Sequence, residues 1–301
     1  MTNPPASEVL ATWQALGTYF DVDGDAVFVL DVPPLYDEGK DPMFVLHGYP
    51  SCCYDWHHVL PDFGQNRRVV LFDYPGFGLS DKPNRRYSIE FYADAAERVA
   101  EFAGLESVVL VTHDLGDSVG GELLARDLDS RLAFGVSQRV ITNGSIYMDL
   151  VQLSTGQQLL LGLEDAPVDL AAMGLDPKDG FKNGLGNTFS PAHPATDGEL
   201  DQQWEFVSYL DGHKLLARTI RYIEDRRARE SRYTGAIEKH PSPLGIVWGA
   251  LDPIAVRAMS TRLVDARPDA RLIVLDDVAH YPMIEAPDDF AAAVRVLLAS
   301  A

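Results

Sequence analysis

An apolar run at residues 107–111 leads directly into Thr112-His113-Asp114-Leu115-Gly116, so that residues 107–116 read SVVLVTHDLG. The segment that follows, residues 116–126, has helical spacing and small residues on one face, which is typical of a helix that packs closely on a sheet. A strand, a sharp turn and a helix form the geometry that exposes a nucleophile at the turn. Asp114 lies at this turn, and Gly116 is the small neighbour that the tight backbone requires. We therefore predict that Asp114 is a nucleophile.

A second candidate nucleophile lies four residues further along the chain. Residues 116–120 read GDSVG, the G-x-S-x-G pattern that serine esterases and lipases place at the same kind of turn. The apolar strand core ends at Val111, which puts Asp114 three residues beyond it and Ser118 seven residues beyond it, about one turn into the helix. The register favours Asp114, and a serine esterase that uses Ser118 is the alternative.

Short apolar runs alternate with helical segments along the rest of the chain. Such continuous runs are typical of parallel strands that are covered on both faces. They lie at residues 43–46, 69–72, 108–111, 136–142, 244–248 and 272–275. Two further strands, residues 18–22 and 26–32, are predicted to form a hairpin around the turn Asp23-Gly24. The sequence thus predicts an α/β protein with a mostly parallel eight-stranded sheet and helices on both faces.

This alternation stops between Gly144 and about Thr234, where helical patterns replace buried strands. We interpret the segment as an inserted helical cap, because ligands of open α/β sheets bind beyond the carboxyl ends of the strands. The predicted organisation is a first core part at residues 1–143, the cap at 144–235 and a second core part at 236–301. Within the cap, we expect a glycine-rich loop at residues 180–186 and a helix at residues 214–230.

Composition excludes several classes of function. The 301 residues carry a formal net charge of −20, which disfavours nucleic acid and anionic membrane surfaces as partners. Cys52 and Cys53 are adjacent and offer neither a disulfide framework nor spaced metal ligands, so neither a metal nor a cofactor is expected. Residues 1–20 do not resemble a secretory signal, and no apolar run is long enough to span a membrane. We expect a cytoplasmic protein with a small organic molecule as its substrate, and leave a homodimer open.

Three further motifs fall where predicted strands end, which is where sheet enzymes place reactive groups. His47-Gly48-Tyr49-Pro50 follows the run at 43–46, and the backbone N–H groups of Tyr49 and Leu115 could hold an oxyanion. Asp252 follows the run at 244–248, and His280 follows the last run. The acid would hold the imidazole in one tautomer, and the histidine would activate water. Asp149, Asp276 and Asp277 are alternative acids.

Together these residues resemble the α/β-hydrolase superfamily over nearly the whole chain. The nucleophile, the acid and the histidine come in the order of that superfamily. Supporting segments lie at residues 47–50, 73–80, 113–116 and 143–145. An aspartate nucleophile resembles the branch of epoxide hydrolases and haloalkane dehalogenases, and the segments around Asp114, Asp252 and His280 are also similar to mesoderm-specific transcript proteins. The resemblance implies an α/β-hydrolase fold and an ester intermediate on Asp114.

The aspartate also indicates a type of reaction. A carboxylate is ionised at neutral pH and attacks saturated carbon without a base, which gives an ester that water activated by His280 can hydrolyse. If the substrate is an epoxide, the alkoxide that leaves needs a proton, and a tyrosine is a suitable acid. Tyr222 resembles the ring-opening cap tyrosine of epoxide hydrolases. We expect epoxide hydrolysis to a diol, with His47, Tyr147 and Tyr209 in the substrate pocket.

Two other functions remain open beside the esterase. A haloalkane or haloacid dehalogenase would use the same triad. Haloalkane dehalogenases, however, commonly have Asn or Glu at the position of Tyr49 and Trp at the position of Leu115. A non-catalytic binding protein on a hydrolase scaffold would turn over no substrate in a broad screen.

Overall fold

A computed structural model of the protein describes residues 7–299. Its strands are β1 (Thr18–Val22), β2 (Asp25–Val32), β3 (Met43–Leu46), β4 (Val69–Phe72), β5 (Ser107–His113), β6 (Gly135–Thr142), β7 (Leu244–Gly249) and β8 (Arg271–Leu275). Its α-helices are α1 (Glu8–Leu16), α2 (Leu60–Phe63), α3 (Ile89–Phe102), α4 (Leu115–Leu128), α5 (Thr155–Gly162), α6 (Pro177–Gly186), α7 (Asp197–Ser208), α8 (Leu216–Thr219), α9 (Tyr222–Lys239), α10 (Arg257–Ala266), α11 (Pro282–Glu285) and α12 (Pro287–Ala299). Two 3-10 helices are η1 (Cys53–Trp56) and η2 (Tyr209–Leu215).

The eight strands form one sheet in the order β1-β2-β4-β3-β5-β6-β7-β8. β2 pairs antiparallel with β1 and with β4, and the remaining neighbours are parallel. The β1–β2 hairpin turns at Asp23 and Gly24, both with positive φ, and Val22 lies opposite Asp25. The predicted mostly parallel eight-stranded sheet and its amino-terminal hairpin are therefore confirmed.

The central strands are buried on both faces. Every residue of β3, β4 and β7 is buried, and successive side chains of a strand point to opposite faces of the sheet. Both faces must therefore be covered, and the short all-apolar runs in the sequence reflect this double burial. The carboxyl ends of β3, β5, β6 and β7 lie side by side at one edge, which is where the candidate catalytic residues follow.

The segment between β6 and β7 holds the helices from α5 to α9. The expected single helix at residues 214–230 is instead divided into η2, α8 and α9. α9 packs along α4, and the backbone of Tyr233 lies so close to Gly121 that a Cβ there would be 2.7 Å from the Tyr233 carbonyl oxygen. The later part of α9 therefore belongs to the layer of helices on the sheet, whereas the boundaries of the cap at residues 144 and 235 stay a prediction.

The glycine-rich stretch at residues 180–186 is helical, so the predicted loop is wrong. Asp176 caps α6 by accepting hydrogen bonds from the backbone N–H groups of Lys178 and Asp179. Pro177 occupies the first helical position, where its missing N–H has no cost. Phe181 and Leu185, four residues apart, are both buried on one side of the helix. Capping and burial of this pair outweigh the low helix propensity of the glycines.

The structure also describes the two cysteines and the apolar character of the helices. Cys52 and Cys53 are buried free thiols, and burial raises the pKa of both well above the usual range. Between residues 7 and 299, no helix combines the length and the apolar character that a membrane span requires.

Candidate active site

Asp114 lies at the turn between β5 and α4 with φ 49° and ψ −109°, a conformation that is strained for a residue other than glycine. The turn is tight because the helix starts beside β3. A Cβ on Gly116 would lie 2.6 Å from the Leu46 carbonyl oxygen, and one on Gly48 would lie 2.9 Å from the Cβ of Asp114. The backbone N–H of Tyr49 donates a hydrogen bond of 2.9 Å to Oδ2 of Asp114. The carboxylate is thus held at the sheet edge beside a backbone donor.

His280 and Asp252 form a buried pair. Nδ1 of His280 is 2.7 Å from Oδ2 of Asp252, and both residues are at most 4% exposed. Oδ1 of Asp252 accepts the backbone N–H groups of Ile254 and Ala255 at 2.7 and 3.0 Å, and the side-chain amide of Asn143 donates to Oδ2 at 2.7 Å. These donors keep Asp252 in place, and its bond to Nδ1 leaves Nε2 of His280 available for chemistry.

The charge balance around His280 favours its protonated form. Burial disfavours the cation, but the carboxylates of Asp252 and Asp114, with a smaller effect from Glu285, outweigh it and raise the pKa of His280 to about 9. The dependence on Asp114 shows that the two groups are electrostatically coupled. An imidazole with this pKa loses part of its proton affinity if the charge of Asp114 is removed, for example by esterification.

The loop that carries His280 is anchored by Glu285. Its Oε2 accepts backbone N–H groups of Ala279 and Ser190, and its Oε1 accepts that of Tyr281, each at 2.9 Å. The backbone N–H of His280 donates to the carbonyl oxygen of Thr188 at 3.1 Å. The histidine loop is therefore tied to the chain that follows α6. No local sequence pattern indicates this role of Glu285, because it depends on contacts between distant segments.

Asp114 and His280 line the same cavity, which has a volume of about 370 Å³. Tyr49 and Tyr281 lie beside them, and together these four residues form what we call the floor of the cavity. The opposite side, which we call the wall, is mainly apolar and comes from α5, α6 and the chain between them. It includes Leu160, Leu170, Leu175, Phe181 and Leu185. None of the residues that line the cavity is a lysine or an arginine.

Ser118 does not line this cavity. It lies in the first turn of α4, is 2% exposed, and its Oγ accepts a hydrogen bond of 2.6 Å from Nε of Arg226. Nη1 of the same arginine donates to the Ser145 carbonyl oxygen at 2.8 Å. The serine therefore faces a buried guanidinium, away from His280 and its acid.

Tyr222 lies close to the floor without lining the cavity. It is 1% exposed, its ring centroid is 5.6 Å from that of Tyr49, and the guanidinium of Arg226 lies 4.9 Å from the ring. Burial and the negative charge of Asp114 raise the pKa of Tyr222 well above the usual range. Tyr49, by contrast, lines the cavity, and its hydroxyl donates to the Leu216 carbonyl oxygen at 3.3 Å.

The three residues expected in the substrate pocket lie elsewhere. His47 is fully buried, with Nδ1 bonded to the Gly48 carbonyl oxygen and Nε2 accepting the Tyr74 N–H. The hydroxyl of Tyr147 donates to Glu238, and Tyr209 lies near Lys82. These side chains have partners in the core or in other helices, and none lines the cavity. Tyr281, which does line it, follows His280 directly and could have been found from that neighbourhood.

Two of the three alternative acids have partners other than His280. Asp149 forms an ion pair of 2.7 Å with Arg262, and Asp277 lies 3.3 Å from the exposed His193. Asp252 is therefore the acid that the structure brings to His280.

Comparisons with known proteins place this chain in a family. Residues 43–293 match the alpha/beta hydrolase family. The Mycobacterium tuberculosis protein named as hydrolase LipZ is 38% identical over 300 residues, 99% of each chain. The mesoderm-specific transcript protein of Mus musculus is 30% identical over 295 residues, 95% of this chain and 87% of its own. A Bacillus megaterium epoxide hydrolase structure has a TM-score of 0.73 at 21% identity, with 94% of this chain and 100% of its own covered.

These matches confirm the resemblance to the superfamily and to mesoderm-specific transcript proteins. The likeness to the solved structure concerns the fold, because its sequence identity is low. The chain belongs to the alpha/beta hydrolase family.

Proposed function

We propose that this protein hydrolyses epoxides to diols through a covalent ester on Asp114. The observation that carries the proposal is that the carboxylate of Asp114 and the imidazole of His280 line one cavity, whereas Ser118 is enclosed beside Arg226. A serine nucleophile must contact both a base and the substrate. Ser118 meets neither condition, and this argues against the esterase alternative.

In the first step, a carboxylate oxygen of Asp114 attacks one epoxide carbon and the bond from that carbon to the ring oxygen breaks. The new ester links Asp114 to the substrate, and the ring oxygen leaves as an alkoxide that needs a proton. We assign the role of proton donor to Tyr49. This residue lines the cavity, and the hydrogen bond of its hydroxyl to the Leu216 carbonyl oxygen is long, at 3.3 Å. Tyr222, packed next to Tyr49, would position that ring.

In the second step, Nε2 of His280 takes a proton from water, and the hydroxide attacks the carbonyl carbon of the Asp114 ester. The backbone N–H groups of Tyr49 and Leu115 would hold the oxyanion of the tetrahedral intermediate. Its collapse breaks the ester bond, and the alkoxide that leaves takes the proton of the attacking hydroxyl, which releases the diol and restores the carboxylate. The proton on His280 then returns to the tyrosinate through water, so the net reaction consumes one water per epoxide. Asp252 stabilises the imidazolium during this step.

The cavity supports a neutral, apolar substrate. The wall of the cavity includes leucine and phenylalanine side chains. The charged residues that line the cavity as a whole are Asp114, Asp176, Asp179 and His280. Carboxylates repel an anionic substrate, and no lysine or arginine of the lining compensates them. These charges weigh against a haloacid and favour an uncharged lipophilic epoxide.

The test is to trap the intermediate in the His280→Gln variant, which keeps the nucleophile but lacks the base for the second step. Incubation with a panel of lipophilic epoxides should add the mass of one substrate, and fragmentation of the peptide should locate it on Asp114. The double variant Asp114→Ala/His280→Gln is the matched control and should stay unlabelled. Adduct on Ser118 would contradict the proposal, and halide release from haloalkanes without epoxide turnover would favour the dehalogenase.

A further inference from the structure

Two histidines and a glutamate meet where the turn after η1 contacts α7. His57, His58 and Glu199 each offer one ligand atom, and these atoms lie within 4.8 Å of one another. The centroids of the two imidazole rings are 3.8 Å apart. None of the three residues lines the catalytic cavity or takes part in the proposed reaction. We propose that this cluster binds a divalent transition metal ion, with Zn²⁺ as the best match.

His57 is oriented as a metal ligand should be. Its Nδ1 lies 2.8 Å from the Tyr54 carbonyl oxygen, which can only accept a hydrogen bond, so Nδ1 carries the proton and Nε2 keeps its lone pair. Metal-binding histidines commonly fix their second nitrogen in this way. The imidazole is also stacked on the Tyr54 ring, with centroids 4.1 Å apart and planes at 3°. The imidazole of His57 is therefore held in place before any ion arrives.

The third ligand is held by contacts between α7 and η1. The ring of Tyr54 stacks on Phe206 at 4.6 Å, and its hydroxyl donates to Gln202 at 3.1 Å. Gln203 donates to Asp55 at 3.0 Å and approaches Oε1 of Glu199 at 3.4 Å. These contacts fix the helix that carries Glu199 against the segment that carries the histidines. The ligands thus come from two elements whose relative position is set independently of the ion.

The donor set selects the class of ion. Imidazole nitrogen suits Zn²⁺, Ni²⁺ and Cu²⁺, whereas Mg²⁺ and Ca²⁺ take oxygen ligands. Two histidines and one glutamate are a known ligand set for Zn²⁺, with water in the fourth position. Coordination at about 2.0–2.2 Å needs the ligand atoms closer together than 4.8 Å, and rotation of the exposed His58 side chain supplies this movement. His58 also gives the ion access from solvent.

An ion at this cluster would link the turn after η1 to α7. A ligand that binds only the folded chain stabilises it by an amount that grows with the logarithm of the free ligand concentration relative to its Kd. The expected effect of the ion is therefore on stability, and because none of its three ligands lines the cavity, it takes no part in the proposed reaction. A ligand set made from two adjacent histidines and a glutamate about 140 residues away has no regular spacing, so a sequence pattern does not predict it.

The experiment is calorimetric titration of chelator-treated full-length protein with zinc chloride. We expect one ion per chain and a rise in Tm of about 2–4 °C when free Zn²⁺ is about five times its Kd. Glu199→Gln and His58→Gln should each weaken binding at least about tenfold, since removal of even an outer-shell partner commonly costs that much. His193→Gln is the matched control, because His193 also lies beside a carboxylate, that of Asp277 at 3.3 Å. The affinity of this variant for Zn²⁺ should stay unchanged.

Replacement of Zn²⁺ by Co²⁺ gives an independent readout, because the visible absorption of Co²⁺ reports nitrogen and oxygen coordination. The spectrum should appear in the parent protein and in His193→Gln and be lost in His58→Gln. His58 is exposed, so this variant should keep its fold, which far-UV circular dichroism checks. No zinc binding, or equal affinity in the Glu199, His58 and His193 variants, would overturn the proposal.

Discussion

The floor and the wall of the candidate catalytic cavity are built in different ways. The floor residues follow strand ends and are held by short polar contacts, such as Tyr49 N–H to Asp114 within the floor and His280 to Asp252, which lies behind it. The wall residues come from α5, α6 and the chain between them, and they are mostly leucine, phenylalanine and glycine. A change in the floor breaks a hydrogen-bonded arrangement that holds charge, whereas a change at the leucine, phenylalanine or glycine positions of the wall alters shape and apolar contact.

This difference assigns chemistry to the floor and selectivity to the wall. Hydrogen bonds fix a reactive group within the narrow geometry that catalysis requires. Apolar contacts discriminate weakly, by roughly 1–3 kcal/mol for a methylene group, and they depend on the space available. Substitutions in the floor should therefore have larger effects than substitutions in the wall.

The largest effect is expected for Asp114→Ala. Loss of the proposed nucleophile should reduce kcat/KM by about 10⁴-fold or more, measured with an epoxide that the parent protein hydrolyses. Ser118→Ala, four residues away, should keep kcat/KM within about tenfold, because Ser118 does not line the cavity. Steady-state kinetics of the two variants measure the contrast.

Ser118→Ala should nonetheless be less stable than the parent protein. It leaves the buried Nε of Arg226 without its hydrogen-bond partner, which costs about 1–3 kcal/mol of unfolding free energy. Urea unfolding separates this loss from catalysis. If Ser118→Ala lost activity as completely as Asp114→Ala while folding normally, the assignment of the nucleophile would be wrong.

The next effect concerns the His280–Asp252 pair and pH. Burial opposes the cation, but Asp252 and Asp114 raise the pKa of folded His280 to about 9, against about 6.5 in the unfolded chain. The resulting stabilisation is fully present below pH 6.5 and is lost as pH rises through 9, and it is on the order of 3 kcal/mol. Urea unfolding at pH 6.5 and 9.5 should show this decrease in the parent protein and not in His280→Gln. Parallel pH dependence in both proteins would contradict the charge balance described for the floor.

The floor could be predicted from the sequence more fully than the wall because its residues follow strands. An all-apolar run fixes a strand end to within one or two residues, and each chemical group lies at such an end. β3 and β4, for example, have the predicted bounds. The position of Asp114 in the turn follows from this register, since it comes directly after β5 and caps α4.

The wall depends on packing between segments, which periodicity does not report. The prediction of a loop at residues 180–186 gave too much weight to glycine and too little to the capping residue Asp176 and to the Phe181–Leu185 pair. Tyr147 and Tyr209 were expected in the pocket because of their position in the inserted segment. Their hydroxyl and ring contacts are with Glu238 and Lys82, and no local pattern indicates these partners.

A moderate effect is expected when the wall is moved inward. Gly184 lines the cavity, and a Cβ built there meets no atom within 4 Å. Gly184→Leu should therefore fill part of the 370 Å³ with no clash at its Cβ, and kcat/KM for bulky epoxides should fall about 10–100-fold while small epoxides are unaffected. Gly186→Ala is the control, because Gly186 is in the same helix but does not line the cavity. An equal loss for small and bulky substrates would indicate damage to the floor instead.

The smallest effect tests why the wall contains glycine at all. Gly180 is helical, lines the cavity and has open space at its Cβ position, so Gly180→Ala should raise the free energy of unfolding by about 0.5–1 kcal/mol. Gly174 also has open space but a φ of 79°, and Gly174→Ala should instead lower it by about 1–2 kcal/mol. Thermal or urea unfolding of both variants gives the comparison. If the two changes in unfolding free energy have opposite signs, Gly174 is needed for its backbone conformation and Gly180 leaves room for substrate. If both variants are destabilised, the wall does not give up helix stability for cavity volume.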